Sequence, residues 1–185
     1  MSDKFIKDFR KYRSRKLSGV GRNLRYLGIT ANLLTFLSLI SGLLAIYYLF
    51  SNYSLFVIFT LLHLLFDSFD GVVARISKTT KFGKYFDIGS DSLITLLAII
   101  KTGWFLQDYY YYFVGGLFFI ALAIHFRSKL IAPIIFLRTP TFLILMVASS
   151  RQFLYTRTLF IVGLTAAGIV SLYSLAKQVE WLVKR

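Results

Sequence analysis

The stretch that decides the fold is DSFDGVVARISKTTKFGKYFDIGSD, residues 67–91, which joins two long apolar runs. It contains four of the eight acidic residues of the chain, Asp67, Asp70, Asp87 and Asp91. The members of the first pair are three positions apart and those of the second pair four, so each pair shares one face of a helix. Because only a short basic loop joins the two helices, we predict that they are antiparallel neighbours whose four carboxylates face each other.

The composition of the whole chain predicts an all-α integral membrane protein. Of its 185 residues, 57% are hydrophobic and only 16% are charged, whereas soluble domains have about 25% charged residues. A helix needs about 20 apolar residues to cross the core of a bilayer. Six runs meet this requirement and are predicted to be transmembrane helices: residues 30–50, 53–75, 85–104, 109–126, 130–149 and 159–181.

The N-terminal residues 1–29 form a separate segment ahead of the six predicted spans, which together make one domain over residues 30–185. Apolar residues recur in this segment at roughly helical spacing among Lys and Arg. This pattern is typical of an amphipathic helix that lies on the cytoplasmic lipid surface, and we expect a break near Gly19 and Gly21. The alternative is an unstructured basic tail that only fixes topology.

The distribution of positive charge predicts the orientation. With six spans, 18 of the 22 Lys and Arg residues fall on the side of the two termini, three fall on the other side, and Arg138 lies inside the fifth span. The positive-inside rule therefore places the termini and the aspartates at the cytoplasmic face of the cytoplasmic membrane. The net charge of +14 would also suit a nucleic-acid binder, but its location between apolar runs excludes that partner.

The four aspartates predict a metal site. An ionised Asp at the centre of a membrane helix costs about 2.5–3.5 kcal/mol on insertion scales, so a positive partner is required, and Arg75 is the only nearby cation on these helices' interior stretches. Clustered carboxylates suit Mg²⁺ or Mn²⁺. Gly71 and Ala74 leave room for a ligand, and Arg75 is placed to meet a phosphate. The pattern therefore indicates a diphosphate site.

The same stretch resembles the signature of the CDP-alcohol phosphotransferase family, Asp-x-x-Asp-Gly-x-x-Ala-Arg followed after a spacer by Gly-x-x-x-Asp-x-x-x-Asp. The spacer here has seven residues, where the family pattern usually has eight. TANLLT at residues 30–35 is similar to the family's Thr-Pro-Asn-x-Leu-Thr, and TKFG at residues 80–83 to its Thr-Arg-Phe-Gly. The resemblance covers about residues 1–150. All eight fixed residues of the signature are present: Asp67, Asp70, Gly71, Ala74, Arg75, Gly83, Asp87 and Asp91.

The resemblance implies a transferase of phospholipid biosynthesis. Such an enzyme moves a phosphatidyl-type or other phospho-alcohol group from a CDP-alcohol, such as CDP-diacylglycerol or an archaeal CDP-lipid, to an acceptor alcohol and releases CMP. The resemblance also implies two divalent ions, Mg²⁺ or Mn²⁺, held by the four aspartates, with Asp91 acting in addition as the general base on the acceptor hydroxyl. Family members are often homodimers. The residues that would bind the CDP-alcohol are Asn32, Gly71, Arg75 and Thr80.

The resemblance also bears on the acceptor, because family members that use a phosphorylated acceptor, such as inositol phosphate or glycerol phosphate, carry basic residues in the fourth and fifth spans. The candidates are Arg127, Lys129 and Arg138. Arg138 is the strongest of them, because an arginine inside an apolar helix needs a partner. The other two are equally consistent with charges that fix topology.

Two other functions also use acidic residues inside a membrane. A membrane prenyltransferase also binds Mg²⁺ and diphosphate on aspartate-rich helices, but such enzymes generally have more spans and two separate aspartate motifs. A cation-coupled transporter would have its ion site at the midplane between two similar halves. In this chain the acids lie near helix ends and the two halves do not match.

Overall fold

The computed structural model of the protein describes residues 19–77, 80–150 and 156–184. Within these ranges the chain forms seven helices and no strand. Five of them, α2, α3, α4, α5 and α7, are long and apolar enough to cross a bilayer by length and composition. The prediction of an all-helical membrane protein is thus confirmed. The helices are α1 (residues 19–26), α2 (Ala31–Tyr48), α3 (Tyr53–Ser77), α4 (Lys81–Leu106), α5 (Tyr109–Arg127), α6 (Arg138–Ala148) and α7 (Thr156–Val183).

Side-chain caps fix the starts of four of these helices, α2, α3, α4 and α5. Thr30 Oγ1 accepts a hydrogen bond from the N–H of Leu33 at the start of α2, at 3.2 Å. Thr80 Oγ1 accepts the N–H of Gly83 at 2.9 Å and begins α4, and an Asp108 oxygen caps α5. Such caps satisfy backbone donors that have no partner inside the helix. Local sequence therefore sets where α4, which carries Asp87 and Asp91, begins.

The predicted fifth span, residues 130–149, is not one helix. Lys129 and Leu130 adopt positive φ angles of 58° and 64°, a left-handed turn that ends α5. The next seven residues, 131–137, contain Pro133 and have no regular structure. The remaining helix, α6, has 11 residues and a length of about 16 Å, which is too short for the bilayer core of about 30 Å. The described residues therefore contain five potential spans, where six were predicted.

Arg138 consequently begins α6, whereas the sequence placed it inside a long helix. Pro140 follows two residues later, in the first turn, where a missing backbone N–H removes no hydrogen bond from the helix. The guanidinium group is thus carried at the N-terminal end of a short helix, next to the segment without regular structure.

The packing of α2, α3 and α4 also differs from the prediction. In the described part of the chain α2 packs against both α3 and α4, while α3 and α4 do not pack directly against each other. Ser38 Oγ of α2 lies 2.8 Å from Nδ1 of His63 on α3. A Cβ atom on Gly42 would lie only 2.9 Å from Ile94 of α4, so this glycine permits the close approach of α2 and α4. Helix α2 therefore holds α3 and α4 on either side of itself.

Most of the predicted N-terminal amphipathic helix, residues 1–18, lies outside the described residues. No break is found at Gly21, because residues 19–26 are helical. The residues before Gly19 lie outside the described part of the chain, so a break at Gly19 stays a prediction. A Cβ atom on Gly21 would lie 2.7 Å from Ile76 and 2.8 Å from Val72. The absence of a side chain at this position lets α1 lie against the last turns of α3.

Candidate active site

A cavity of about 970 Å³ opens between the ends of α2, α3, α4 and α6. It exists because α3 and α4 are separated and not packed together, so their aspartates face each other across open space. The cavity brings together eleven of the thirteen signature, donor-binding and acceptor-binding residues singled out from the sequence. They are Asn32, Asp67, Asp70, Gly71, Ala74, Arg75, Thr80, Gly83, Asp87, Asp91 and Arg138.

Three of the four aspartates form a tight cluster in this cavity. One oxygen from each of Asp67, Asp87 and Asp91 lies within 4.8 Å of the others. The side chains of Asp67 and Asp91 are 16% and 21% exposed, respectively, so the cluster is reached from the cavity. The spacing that the sequence predicted, one turn of helix within α4 and a facing partner on α3, is what produces this convergence.

Asp70 lies deeper, on the side of the cavity formed by α2. Its residue is only 4% exposed, and its Oδ2 accepts a hydrogen bond of 2.8 Å from Thr35 Oγ1. All four aspartates thus line one cavity, but they divide into a cluster of three and one buried carboxylate bound to a hydroxyl group.

Arg138 supplies the positive charge in the cluster. Its Nη1 donates to Oδ1 of Asp91 at 2.5 Å and its Nη2 donates to Oδ2 of Asp67 at 2.5 Å. Nη1 also contacts Oδ1 of Asp67. One guanidinium group thus bridges α3 and α4 across the cavity. Arginine keeps its charge under all ordinary conditions, so Arg138 offsets part of the negative charge of the three carboxylates.

The donor set fits a divalent cation. Three carboxylates that converge within 4.8 Å supply the hard oxygen ligands that Mg²⁺ and Mn²⁺ prefer, and their partial exposure leaves room for substrate oxygens or water. A single guanidinium carries one positive charge against three negative ones. The cluster would therefore still attract a cation with Arg138 in place.

The loop side of the cavity is built around Gly83. A Cβ atom at this position would lie 2.8 Å from Asn32 Oδ1 and 3.0 Å from Thr80 Oγ1. Nearby, Arg75 Nε donates to the carbonyl of Gly71 at 2.6 Å, which holds the arginine side chain along its own helix. A side chain at position 83 would therefore displace the side chain of Asn32 or Thr80.

Two of the predicted acceptor-binding residues do not line the cavity. Arg127 is the last residue of α5, and Lys129 lies in the left-handed turn that follows it. A role for them in acceptor binding stays a prediction. Arg138, the third candidate, is separated from them by the segment 130–137 and is the one that enters the cavity.

Sequence reasoning missed three further residues of the site. Thr35 binds Asp70, Lys84 lines the cavity, and Thr95 lines it while donating to the carbonyl of Asp91 at 2.8 Å. The sequence could have pointed to Thr35 and Lys84, because Thr35 is the last residue of the TANLLT motif and Lys84 directly follows the TKFG motif. Thr95 had none beyond its position four residues after Asp91.

The fold and the site together define the class of protein: an all-helical membrane protein with a cluster of carboxylates at one end of its helices. A family model described as CDP-alcohol phosphatidyltransferase matches residues 28–177, a range that includes α2 to α6 and every residue that lines the cavity. The chain belongs to this family. Comparison with curated proteins and with solved structures gave no match. Membership supports transfer of a phospho-alcohol group in phospholipid synthesis, and the family in general depends on divalent metal.

Proposed function

We propose that this protein transfers a phosphatidyl-type group from a CDP-lipid, CDP-diacylglycerol or an archaeal CDP-lipid, to an acceptor alcohol and releases CMP. The observation that carries the proposal is the convergence of Asp67, Asp87 and Asp91 within 4.8 Å in a cavity that also holds Arg75 and Arg138. A diphosphate needs positive charge and a hydroxyl nucleophile needs a base, and this cavity can provide both.

The four aspartates would hold two divalent ions, Mg²⁺ or Mn²⁺. When bound, such ions offset the charge of the diphosphate and stabilise the CMP that leaves. The cluster of three offers the ligands nearest to one another, and Asp70 adds a carboxylate whose orientation is fixed by Thr35. The hydrogen bond from Thr35 supports a positioned ligand, since a carboxylate held by a second group needs no reordering when a ligand arrives.

Asp91 is the proposed general base. It would accept the proton of the acceptor hydroxyl as that oxygen bonds to the phosphorus that carries the lipid, while the bond from that phosphorus to the oxygen of CMP breaks and CMP leaves with the electron pair. The carboxylate of Asp91 is reached by Arg138 of α6 and therefore points into the cavity. A base acts mainly through such positioning.

The donor would bind along the loop side of the cavity, through Asn32, Gly71, Arg75 and Thr80. The charge of Arg75 suits a diphosphate oxygen, and the small residues of the α3 signature leave space beside it. For the acceptor, we propose inositol phosphate or glycerol phosphate, with Arg138 as the residue that meets its phosphate. The proposed roles of Arg127 and Lys129 are secondary, because neither lines the cavity.

We further propose that the cavity opens toward the cytoplasm. It lies at the end of the bundle where α3 ends and α4 begins, the end that carries the basic loop between them. The excess of Lys and Arg on this side supports that orientation. Polar acceptors and CMP would then exchange directly with the cytoplasm, while the lipid chains of the donor stay in the bilayer. A homodimer is expected from the family alone.

The direct test is a forward assay with protein purified in detergent, Mg²⁺, CDP-diacylglycerol and radiolabelled glycerol phosphate or inositol phosphate. We expect labelled lipid and one CMP for each lipid formed. Replacing the base, Asp91→Asn, should lower the rate about 10²–10⁴-fold. Asp108→Asn is the matched control, since it removes an acidic charge at the other end of the bundle and asparagine caps a helix as well as aspartate does.

Three outcomes would contradict the proposal. A wild-type rate for Asp91→Asn would remove Asp91 as the base. Release of inorganic diphosphate in place of CMP would point to prenyl transfer. Absence of any labelled lipid with both acceptors and with a CDP-lipid of either acyl or ether type would overturn the proposed reaction.

A further inference from the structure

Arg138 occupies the same carboxylates that the proposed metal site needs. Its guanidinium donates to Asp91 at 2.5 Å and to Asp67 at 2.5 Å, and these are two of the three residues whose oxygens lie within 4.8 Å of one another. Of the cluster, only Asp87 has no ion pair with Arg138. A cation bound among these three carboxylates would thus meet the guanidinium at its own ligands.

The backbone that carries Arg138 is held in place on two sides. The imidazole of His125 donates from Nδ1 to the carbonyl of Ala132 at 2.6 Å. Ser174 Oγ, on α7, accepts the N–H of Ile135 at 3.1 Å. These bonds fix the segment between α5 and α6 although it has no regular structure. The position of Arg138 is therefore set by the fold, and only its side chain is free to rotate.

The location of Arg138 at the start of α6 is unfavourable without a negative partner. The N-terminal end of a helix carries a partial positive charge, which disfavours a cation there. The side chain of Arg138 is also only 14% exposed, so water cannot offset this charge fully. Asp67 and Asp91 supply the missing negative charge. In return, Arg138 relieves the repulsion among the clustered carboxylates.

A divalent ion and the guanidinium cannot both keep these contacts. Each would lie within a few ångströms of the same oxygens, and two cations at that separation repel each other strongly in a partly buried site. An ion with two charges that binds directly to carboxylate oxygens displaces the single charge of arginine. The guanidinium, held by a long flexible side chain, would then rotate into the cavity.

We propose that Arg138 is an internal counter-ion of the metal site: it neutralises Asp67 and Asp91 before metal binds, and metal binding releases it to meet the phosphate of the acceptor. This inference rests on the proposed function. It predicts an order in which metal binds before the phosphorylated acceptor. It also predicts that Arg138 weakens metal binding. A residue with no role at the site would leave metal binding unchanged, and a residue that supports the metal would strengthen it.

The test is a Mn²⁺ titration followed by electron paramagnetic resonance of the free ion, with full-length protein in detergent and without lipid or acceptor. Arg138→Gln should bind Mn²⁺ about tenfold more tightly than wild type, in the range of coupling measured for close charge pairs. Thermal unfolding in EDTA should show a lower Tm for Arg138→Gln than for wild type, because its carboxylates have lost their cation. Saturating Mn²⁺ should remove most of that difference.

Two further variants complete the test. Lys177→Gln also removes one positive charge, but Lys177 pairs with Glu180 and does not line the cavity, so its Mn²⁺ affinity should equal that of wild type. Arg138→Lys keeps a charge but loses the planar fork that bridges two carboxylates. It should bind Mn²⁺ about threefold more tightly than wild type, a smaller gain than that of Arg138→Gln because a positive charge stays near the carboxylates. It also carries the test if Arg138→Gln does not fold.

Equal or weaker Mn²⁺ binding by Arg138→Gln, or by Arg138→Lys where only that variant folds, would overturn the counter-ion role while leaving the proposed reaction intact. A different result would overturn both: if neither wild type nor any variant bound Mn²⁺, with or without CDP-lipid, the metal site itself would be refuted. The two failures are therefore distinguishable.

Discussion

The two ends of the helix bundle differ in packing and in charge although the same helices form both. At one end α2, α3, α4 and α6 meet in an apolar core in which Leu49, Phe56, Ala98 and Phe142 are fully buried. At the other end the same four helices surround a cavity of about 970 Å³ lined by aspartates. The packed end also carries a charge, since Lys101 donates to the carbonyls of Ile46 and Tyr47 at 2.6 and 2.8 Å. The open end carries the four aspartates and Arg138.

The difference shows how a small membrane bundle can hold like charges together. In a bilayer, helices associate mainly through close packing of side chains, because lipid is as apolar as they are. The packed end supplies those contacts and fixes the directions of α3 and α4. Helices α3 and α4, which do not pack directly against each other, leave a cavity between them at the other end, where three carboxylates repel one another and a ligand must enter. Stability and function are thus located at different ends of the same helices.

Among substitutions that distinguish the two ends, Asp87→Asn is expected to have the largest effect on the rate. Asp87 belongs to the cluster but has no ion pair with Arg138. Removing its charge should lower the rate of lipid formation at least about 100-fold. It should also raise the Tm in EDTA by a few degrees, because it relieves repulsion in the metal-free site. A rate near that of wild type would show that Asp87 is not needed for the reaction. A lower Tm in EDTA would show that its charge does not destabilise the open end.

The reverse effect is expected at the packed end. Phe56 is fully buried in the apolar core, and Phe56→Ala should lower the free energy of unfolding by about 3 kcal/mol through the cavity that it leaves. The rate per folded molecule should stay close to that of wild type, since Phe56 is three helical turns from Asp67. Ile58→Ala, at a half-exposed position of the same helix, is the control and should change little. Loss of activity per folded Phe56→Ala molecule would show that the two ends are not independent.

A third substitution tests the close approach of α2 to α4 at the open end. In Gly83→Ala the new methyl group would lie 2.8 Å from Asn32 Oδ1, so the side chain of Asn32, which is proposed to bind the donor, must move. We expect the KM for the CDP-lipid to rise about tenfold, corresponding to about 1.4 kcal/mol of lost binding. Gly116→Ala is the matched control, because a Cβ atom at Gly116 meets nothing within 4 Å. An unchanged KM in Gly83→Ala would separate Gly83 from donor binding.

The smallest effect is expected from Thr35→Val, which keeps the shape of the side chain and removes the hydrogen bond to Asp70. A hydrogen bond to a charged group contributes about 1.5–3 kcal/mol, but Asp70 can turn toward bound metal, so we expect only a threefold to tenfold higher Mg²⁺ concentration at half-maximal rate. Thr35→Ser should restore the wild-type value. An effect on the rate at saturating Mg²⁺ alone would indicate a different role for Thr35.

The four aspartates could be predicted from the sequence because helical spacing fixes which side chains share a face. Spacings of three and four residues put Asp67 with Asp70 and Asp87 with Asp91, and the loop between the helices puts both pairs at one end. The family resemblance rested on the same residues, and the match over residues 28–177 agrees with it.

The arrangement around Arg138 could not be predicted in the same way. Hydropathy counts apolar residues whatever their backbone conformation, so residues 130–149 read as one span even though a left-handed turn at Lys129 and Leu130 ends the preceding helix. The packing of α2 against both α3 and α4 could not be predicted either, because a short loop places two helix ends close together but does not determine which helices pack against each other. Both errors concern long-range packing, and both shape the cavity.

The central claim is that the carboxylates of the open end bind divalent ions for phosphoryl transfer. Its most direct test is a Mn²⁺ titration of wild-type protein with CDP-lipid present, followed by electron paramagnetic resonance. Two tightly bound Mn²⁺ ions per chain are predicted, with a spectrum broadened by their mutual coupling, and Asp67→Asn should lose at least one of them. Binding of no Mn²⁺, or the same stoichiometry and spectrum in Asp67→Asn, would contradict the claim.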